Sequence, residues 1–268
     1  MISILNLADQ LLVESADSYH AQRATFLSSH ALADFRRCPR LFRDKECGLV
    51  HEKDRNAFLL GRAVHTLILE GRHTYNAQFA VGGPINDRTG RPYGRDTKAF
   101  TAWAAQQPGD ILTEQEAALV ECLSSAVHGH HLAEELLRHG VAERVGRTQL
   151  YGVPCQIRCD WLHPERGLVD LKTCDDLDWF ERDARRFGYV HQMSFYRQVL
   201  REIGGTTVPV HLIAVEKQYP HRVGVWRIDD AALALAEDEN GAAIMRLKEC
   251  RRNDEWPTGY EGLRVLAA

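Results

Sequence analysis

Residues 156–173 read QIRCDWLHPERGLVDLKT and contain two aspartates, Asp160 and Asp170. Two short apolar runs flank a turn that contains proline and glycine, and this pattern predicts a β-hairpin. The hairpin would bring the two carboxylates together from opposite strands. Because side chains alternate along a strand, Asp170 and Lys172 should share one face while Leu171 points into the core.

This grouping of charges predicts metal-dependent cleavage of a phosphodiester bond. A hard divalent cation needs clustered oxygen ligands, which two facing carboxylates supply. An ammonium group beside the cation, here that of Lys172, can hold or polarise a water molecule for attack on phosphate. The sequence shows no G-x-S-x-G elbow and no catalytic Cys/His pair, so no side-chain nucleophile is evident.

The composition is that of a soluble globular protein. The chain has 268 residues and a net charge of −4 at pH 7, enough length for one large domain or two small ones. It has no apolar run near the length of about 18 residues that spans a bilayer, and no signal-peptide pattern at its N-terminus. Seven scattered cysteines without a CxxC pair predict free thiols in a reduced compartment. We therefore expect a cytoplasmic protein without a membrane partner.

The order of the predicted elements favours an α/β fold with a central mixed β-sheet. Strands are predicted at about 142–151, 154–162, 167–173, 207–216 and 222–228. Helices are predicted at about 30–42 with a break at Pro39, 56–70, 113–138, 176–186, 189–203 and 229–252. The early helices should pack on the sheet. We therefore expect residues 1–27 to form an N-terminal arm and residues 28–268 to form a single domain.

Residues 81–97 are rich in glycine, proline and arginine, which predicts a long loop. Arg88, Arg91 and Arg95 of this loop are candidates for binding DNA phosphates, and a solvated loop explains them equally well. The negative net charge does not exclude DNA, because a local basic surface matters more than the sum of the charges.

Five motifs occur along the chain in a characteristic order. They are Ala31–Phe42 (ALADFRRCPRLF), Leu60–His65 (LGRAVH), Asp160, Asp170–Lys172 (DLK) and Gln192–Tyr196 (QMSFY). Together they resemble the PD-(D/E)XK nuclease superfamily and, within it, the RecE-type exonucleases (exodeoxyribonuclease VIII), the RecB-like nucleases and their phage relatives. The resemblance implies a restriction-endonuclease-like core, in which a central mixed sheet is flanked by helices.

The resemblance also implies a metal site. Asp160 and Asp170, the backbone carbonyl of Leu171 and the motif histidine His65 would hold Mg²⁺, with Mn²⁺ as an alternative. A histidine on an apolar helix is by itself more often a core residue, and its position before the strand cluster favours a ligand. Glu143, at the start of the first predicted strand, resembles an additional acidic position of relatives, and an exposed ion-pair partner explains it equally well.

Lys172, Gln192 and Tyr196 are the candidate catalytic residues besides the two aspartates. By the resemblance Lys172 orients the attacking water, and Gln192 and Tyr196, one helical turn apart, contact the phosphate or a terminal base. The alternative for Gln192 and Tyr196 is an ordinary helix surface. Some RecB-like nucleases hold an iron–sulfur cluster with one early and three late cysteines. Cys38 could be the early ligand, but Cys250 is the only cysteine in about the last ninety residues, so no cluster is expected.

The RecE-type resemblance implies a 5′→3′ exonuclease that degrades linear double-stranded DNA and leaves 3′ single strands for recombination by annealing. Such relatives form ring-shaped oligomers and transfer the strand to an annealing protein, so a homo-oligomer and such a partner are expected. Three alternatives stay open: a structure-specific or sequence-specific endonuclease on the same core, a non-catalytic DNA-binding subunit, and an RNA nuclease. The complete set of Asp160, Asp170 and Lys172 argues against the non-catalytic subunit.

Overall fold

A six-stranded mixed β-sheet lies at the centre of the computed structural model, which describes residues 7–50 and 56–265. The strands are β1 (Leu12–Val13), β2 (Phe79–Val81), β3 (Ile85–Asn86), β4 (Arg91–Pro92), β5 (Asp110–Leu112), β6 (Val141–Leu150), β7 (Val153–His163), β8 (Gly167–Cys174), β9 (Val210–Glu216) and β10 (Val223–Arg227). The central sheet has the order β1-β6-β7-β8-β9-β10. Strands β8 and β9 run parallel, and the other neighbours in this sheet are antiparallel.

Helices cover both faces of this sheet. They are α1 (Ala16–Ala21), α2 (Ser29–Arg37), α3 (Pro39–Glu46), α4 (Asn56–His65), α5 (Gly71–Gln78), α6 (Lys98–Ala104), α7 (Glu114–Gly129), α8 (His131–Leu136), α9 (Phe180–Arg186), α10 (Tyr189–Gly204) and α11 (Asp230–Asn253). A π-helical turn at Thr66–Glu70 follows α4, and 3₁₀ turns lie at Gln22–Ala24 and Leu177–Trp179. The predicted α/β class, with a central mixed sheet flanked by helices, is confirmed. None of the described helices is long and apolar enough to cross a membrane.

Two hydrophobic cores lie on opposite faces of the sheet, because neighbouring residues of a strand point to opposite sides. In β8, Leu168 belongs to one core, whereas Val169 and Leu171 belong to the other. Helices α2, α10 and α11 cover the first core, and α4 and α7 cover the second. Leu171 is 1% exposed, so the prediction that it points into the core is confirmed. The strand that carries the DLK motif is therefore anchored from both sides.

The five predicted strands are all present, as β6 to β10. The strand predicted from residue 207 begins only at Val210, because Pro209 has no N–H group to donate to a ladder. The loop predicted at 81–97 contains the short β3–β4 hairpin. Hairpins as short as this one carry little hydrophobic pattern, so the sequence did not reveal it.

Two predicted helices differ in detail from the structure. The helix predicted over 113–138 begins with a capping box formed by Thr113 and Glu116, but the extended backbone of His130 divides it into α7 and α8. The helix predicted over 56–70 ends in a π-helical turn. Gly71, with φ of 86°, ends this helix and begins α5, which was not predicted.

The N-terminal residues described by the structure pack against the sheet. Leu12 of β1 pairs with Val145 of β6, and Leu27 forms an isolated bridge with Cys155 of β7. Leu7 is fully buried in the first core. The division of the chain into an arm at 1–27 and a domain at 28–268 stays a prediction.

Candidate active site

The β7–β8 hairpin brings the two aspartates side by side. Trp161 pairs with Val169 at the end of this antiparallel ladder, and Asp160 and Asp170 are the next residues on the two strands. At this point the Leu171 N–H donates a hydrogen bond to Asp160 Oδ2 over 3.0 Å. The predicted hairpin is confirmed, and the two strands separate just where the carboxylates lie.

Glu143 approaches Asp160 from the opposite side, on β6. The β6–β7 ladder pairs Ala142 with Trp161 and Arg144 with Cys159, which places Glu143 opposite Asp160. Glu143 has φ of 54°, a left-handed conformation that is uncommon for a residue with a side chain. Backbone strain of this kind is typical of functional sites. Three adjacent strands thus each carry one acidic residue in this region, Glu143 on β6, Asp160 on β7 and Asp170 on β8.

His65 completes this group from the end of α4. Its Nδ1 atom lies 3.4 Å from Asp160 Oδ2. One ligand atom each of His65, Glu143 and Asp160 lies within 4.8 Å of the others. Two ligands at 2.0–2.6 Å from a single cation lie at most about 5 Å apart, so this separation fits one metal ion. Asp170 lies outside this closely spaced trio.

Lys172 lies between Asp170 and the motif residues of α10. Its Nζ atom is 2.6 Å from Asp170 Oδ2 and donates a hydrogen bond to Gln192 Oε1 over 3.5 Å. Gln192 Nε2 in turn donates to the Tyr196 hydroxyl over 3.4 Å. The Lys172 ammonium also lies 4.9 Å from the centroid of the Tyr189 ring. The structure therefore brings together the DLK and QxxxY motifs, which are far apart in the sequence.

Burial controls protonation in this group of charges. Desolvation raises the pKa of Asp170 to about 6, and desolvation together with the Asp160 charge raises the pKa of Glu143 to about 8. Burial also raises the pKa of Asp160, although Lys172 opposes this. Burial and the Lys172 charge lower the pKa of His65 to about 4, so His65 is neutral at pH 7. Burial opposes the charge on Lys172, but Asp170 and Asp160 outweigh it, and the pKa of Lys172 is raised.

These residues fit a divalent cation. Asp170 is 1% exposed, and neither of its oxygens has a well-directed hydrogen bond from any described residue, although Lys172 forms an ion pair with it. Carboxylates held in this way are unfavourable when charged, and a bound cation offsets that penalty. The neutral imidazole of His65 can serve as a nitrogen ligand beside the carboxylate oxygens.

Two residues near the site were not singled out from the sequence. Arg158 Nε lies 3.0 Å from Glu143 Oε2, and the Lys172 ammonium lies over the aromatic ring of Tyr189. Arg158 and Asp160 are two positions apart on β7 and therefore share one face of the strand. The alternation of side chains along a strand could thus have suggested Arg158. Tyr189 precedes Gln192 by three positions, which places both on one side of α10.

The predicted DNA-binding arginines occupy different environments. Arg88 and Arg91 are exposed on the β3–β4 segment. Arg95 donates hydrogen bonds to the Ile111 carbonyl at 3.0 Å and to Glu116 at 2.6 Å. The Arg95 guanidinium thus joins the loop to the start of α7. A role in DNA binding stays a prediction for all three.

Solved structures match the chain to different extents. A protein from Eubacterium rectale that is proposed to be an exonuclease has a TM-score of 0.69 and 15% identity, with 96% of each chain covered. LHK-Exo in complex with dAMP has a TM-score of 0.35 and 13% identity, covering 89% of this chain and 98% of the other. A phage-related exonuclease from Haemophilus somnus 129PT has a TM-score of 0.32 and 16% identity, covering 77% and 98%. No curated protein matches the chain.

The family comparison covers nearly the whole chain. Residues 28–266 match the family described as "PDDEXK-like domain of unknown function (DUF3799)". This range contains all five sequence motifs and the group of His65, Glu143 and Asp160. The chain therefore belongs to the DUF3799 family of PDDEXK-like domains and is an enzyme of the PD-(D/E)XK nuclease superfamily.

Proposed function

We propose that the protein is a Mg²⁺-dependent exonuclease that acts on the ends of linear double-stranded DNA. The observation that carries this proposal is the buried Asp170 carboxylate, without a well-directed hydrogen bond, beside the Lys172 ammonium and the trio of His65, Glu143 and Asp160. Such a set of oxygen and nitrogen donors suits Mg²⁺ or Mn²⁺. The resemblance of the chain to RecE-type nucleases, together with a similar structure that is proposed to be an exonuclease, supports action at DNA ends.

In this proposal the carboxylates of Asp160, Glu143 and Asp170, with His65, hold the cation. The cation supplies positive charge that activates water and stabilises the charge that develops on the phosphoryl oxygens. Each carboxylate comes from a different strand of the rigid sheet, so the ligand positions are fixed before substrate binds. A site arranged in advance loses little free energy to rearrangement during the reaction.

Lys172 positions the water and the scissile phosphate. Because its pKa is raised by Asp170 and Asp160, it remains an ammonium group at neutral pH and acts as a hydrogen-bond donor, not as a base. Gln192 contacts Lys172 Nζ and fixes its direction. Tyr196 is buried and its pKa is raised well above the usual value by desolvation, so it remains protonated and holds Gln192. Deleting one such positioned donor typically lowers the rate by about 10² to 10³.

The first experiment compares supercoiled and linearised forms of one plasmid with Mg²⁺. An exonuclease degrades only the linear form, and the Lys172→Ala variant leaves both intact. Nicking or cutting of the closed circle would show that the protein is an endonuclease and not an exonuclease. If the wild-type protein cleaves neither form, the non-catalytic DNA-binding subunit becomes the favoured function. An oligonucleotide duplex labelled on either end then reports polarity, and we expect loss of the 5′ label first.

A homo-oligomer and an annealing partner belong to the same proposal. Both are supported by the resemblance to RecE-type nucleases, whose rings retain the DNA during successive cuts. The net charge of −4 gives a physical reason as well, because a single small acidic subunit has little electrostatic hold on a polyanion. Light scattering of the purified protein should give a mass several times 30.4 kDa. A monomeric mass would remove the ring from the proposal.

A further inference from the structure

An exposed surface of aromatic and arginine side chains lies next to the active site, on the segment that follows β8. It consists of Trp179, Arg182, Arg185, Arg186 and Phe187, and we call it the Trp179–Phe187 surface. The Trp179 and Phe187 side chains are 55% and 57% exposed. Large aromatic side chains usually contribute to a core, so an exposed pair beside a catalytic site indicates a binding surface.

The arginines of this surface stack on its aromatic rings. The Arg182 guanidinium lies 5.3 Å from the centroid of the Trp179 ring, and the Arg186 guanidinium lies 5.4 Å from that of Phe187. No described carboxylate forms an ion pair with Arg182, Arg185 or Arg186. Their charges are therefore available to a polyanion, while the stacking holds the guanidinium groups near the ring faces.

Two acidic residues of this segment contact groups outside it. Asp178 forms an ion pair with Arg222 at 3.1 Å, and Glu181 accepts a hydrogen bond from Trp226 Nε1 over 3.3 Å. Between Trp179 and Phe187 the acidic residues are Glu181 and the partly buried Asp183, against three exposed arginines. This stretch therefore has a formal charge of +1, although the whole chain carries −4.

The surface continues into the active site through Tyr189. The rings of Phe187 and Tyr189 have centroids 6.0 Å apart, and Lys172 Nζ lies 4.9 Å from the centroid of the Tyr189 ring. Trp179 and Phe187 lie at the two ends of α9, about 12 Å apart along the helix axis. This length corresponds to about three or four stacked nucleotides at 3.4 Å each.

We propose that the Trp179–Phe187 surface binds single-stranded DNA at the separated end of the substrate. Bases stack on the Trp179 and Phe187 rings, and the three arginines neutralise phosphates, the combination that sequence-independent single-strand binders use. A paired and stacked duplex hides its base faces, so the surface selects unpaired nucleotides. This inference rests on the proposed function, because it takes the substrate to be DNA.

The test measures binding without cleavage. Metal-free protein in EDTA is titrated into a fluorescein-labelled 12-nucleotide oligodeoxythymidine, and binding is followed by anisotropy. Trp179→Ala and Phe187→Ala should each weaken binding at least about fivefold, as expected for loss of one stacked base. Each cation bound to a single strand contributes about 0.7 to the slope of log K against log salt. Replacing Arg182, Arg185 and Arg186 together by alanine should therefore reduce this slope by about 2.

A matched pair elsewhere on the chain provides the control. Tyr260 is 74% exposed, and the Arg264 guanidinium lies 4.1 Å from the centroid of its ring. Tyr260→Ala and Arg264→Ala should bind the oligonucleotide like the wild type. Trp179→Phe should retain most of the affinity but lose the quenching of Trp emission by the oligonucleotide. Unchanged secondary structure by circular dichroism would separate lost binding from lost folding.

The outcomes separate this inference from the proposed function. Wild-type affinity in Trp179→Ala and Phe187→Ala would overturn the inference even if the protein degrades linear DNA. If the same variants lose as much affinity for a blunt hairpin duplex of similar length, the surface does not select single strands. Oligodeoxythymidine binding that depends on the Trp179–Phe187 surface, in a protein that cleaves no DNA, would support the surface and refute the exonuclease.

Discussion

Replacement of Glu143 by glutamine should stabilise the metal-free protein, and increasingly so as the pH rises. Burial and the Asp160 charge raise the pKa of Glu143 from its usual 4.5 to about 8. Between these values the folded protein keeps a proton that the unfolded chain has released. The raised pKa therefore favours folding fully below about pH 4.5, and this advantage is lost as the pH rises through 8. Glutamine does not titrate, so the variant has no such loss.

The size of the effect follows from the titration of one proton. Each pH unit between the two pKa values changes the free energy of unfolding by about 1.4 kcal/mol. From pH 6.5 to pH 8 the curves of the wild type and Glu143→Gln should therefore diverge by roughly 1–2 kcal/mol, after allowance for partial titration near pH 8. Asp170 and His65, with pKa values of about 6 and about 4, are common to both proteins, so they largely cancel in the comparison.

The assay is urea unfolding in EDTA at pH 6.5 and pH 8, followed by far-UV circular dichroism. Glu135→Gln is the control, because Glu135 is an exposed carboxylate that pairs with Arg166 at the surface, and this variant should follow the wild type. Mn²⁺ should stabilise the wild type more at pH 8 than at pH 6.5, because a cation binds the deprotonated carboxylate. Parallel curves for Glu143→Gln and the wild type would refute the electrostatic account of this site.

Three substitutions test other parts of the structure. Lys172→Ala should lower the single-turnover rate of DNA cleavage at least about 10²-fold with unchanged circular dichroism, and a rate near that of the wild type would remove Lys172 from the mechanism. Asp160→Asn should weaken Mn²⁺ binding at least about tenfold in calorimetry, since a lost ligand has at least the effect of a lost supporting contact, and equal affinity would place the metal elsewhere. Gly167→Ala should destabilise the protein by about 2 kcal/mol or more in thermal unfolding, because Gly167 has φ of 80° and a Cβ atom would clash with the Pro209 carbonyl oxygen. Gly90→Ala, at φ of 64° with open space around it, should show a smaller loss, and equal losses would remove the clash as the cause.

The β7–β8 hairpin could be predicted from the sequence because its signals are local. Alternating apolar residues set the strands, and the turn ends at Gly167 with φ of 80°. The turn is fixed by His163, whose Nδ1 accepts hydrogen bonds from the N–H groups of Glu165 and Arg166. The spacing from Asp160 to Lys172 then determines which side chains meet. The mixed sheet could also be predicted, because each strand and helix has a local sequence pattern and their order along the chain favours an α/β fold.

Contacts between distant segments could not be predicted in the same way. Strand β1 has only two residues, and it forms because Leu12 pairs with Val145 at the edge of the sheet, more than a hundred positions away in the sequence. The break at His130 leaves no mark in the hydrophobic pattern. The surroundings of Glu143, next to both Asp160 and Arg158, depend on the β6–β7 register, which the sequence does not show.

The geometry of Glu143 shows what the rest of the fold contributes to the site. Its left-handed backbone destabilises the fold by about 1–3 kcal/mol, and its raised pKa adds an electrostatic term that grows as the pH rises above 4.5. Unfavourable contributions of this kind persist only where the surrounding structure holds the residue in place. Here β6 and β7 lie between two buried cores. A bound cation relieves the electrostatic term but not the backbone strain. The free energy that cation binding recovers is therefore electrostatic, so metal affinity should depend on the carboxylate charges and should fall in Glu143→Gln even though that variant folds more stably.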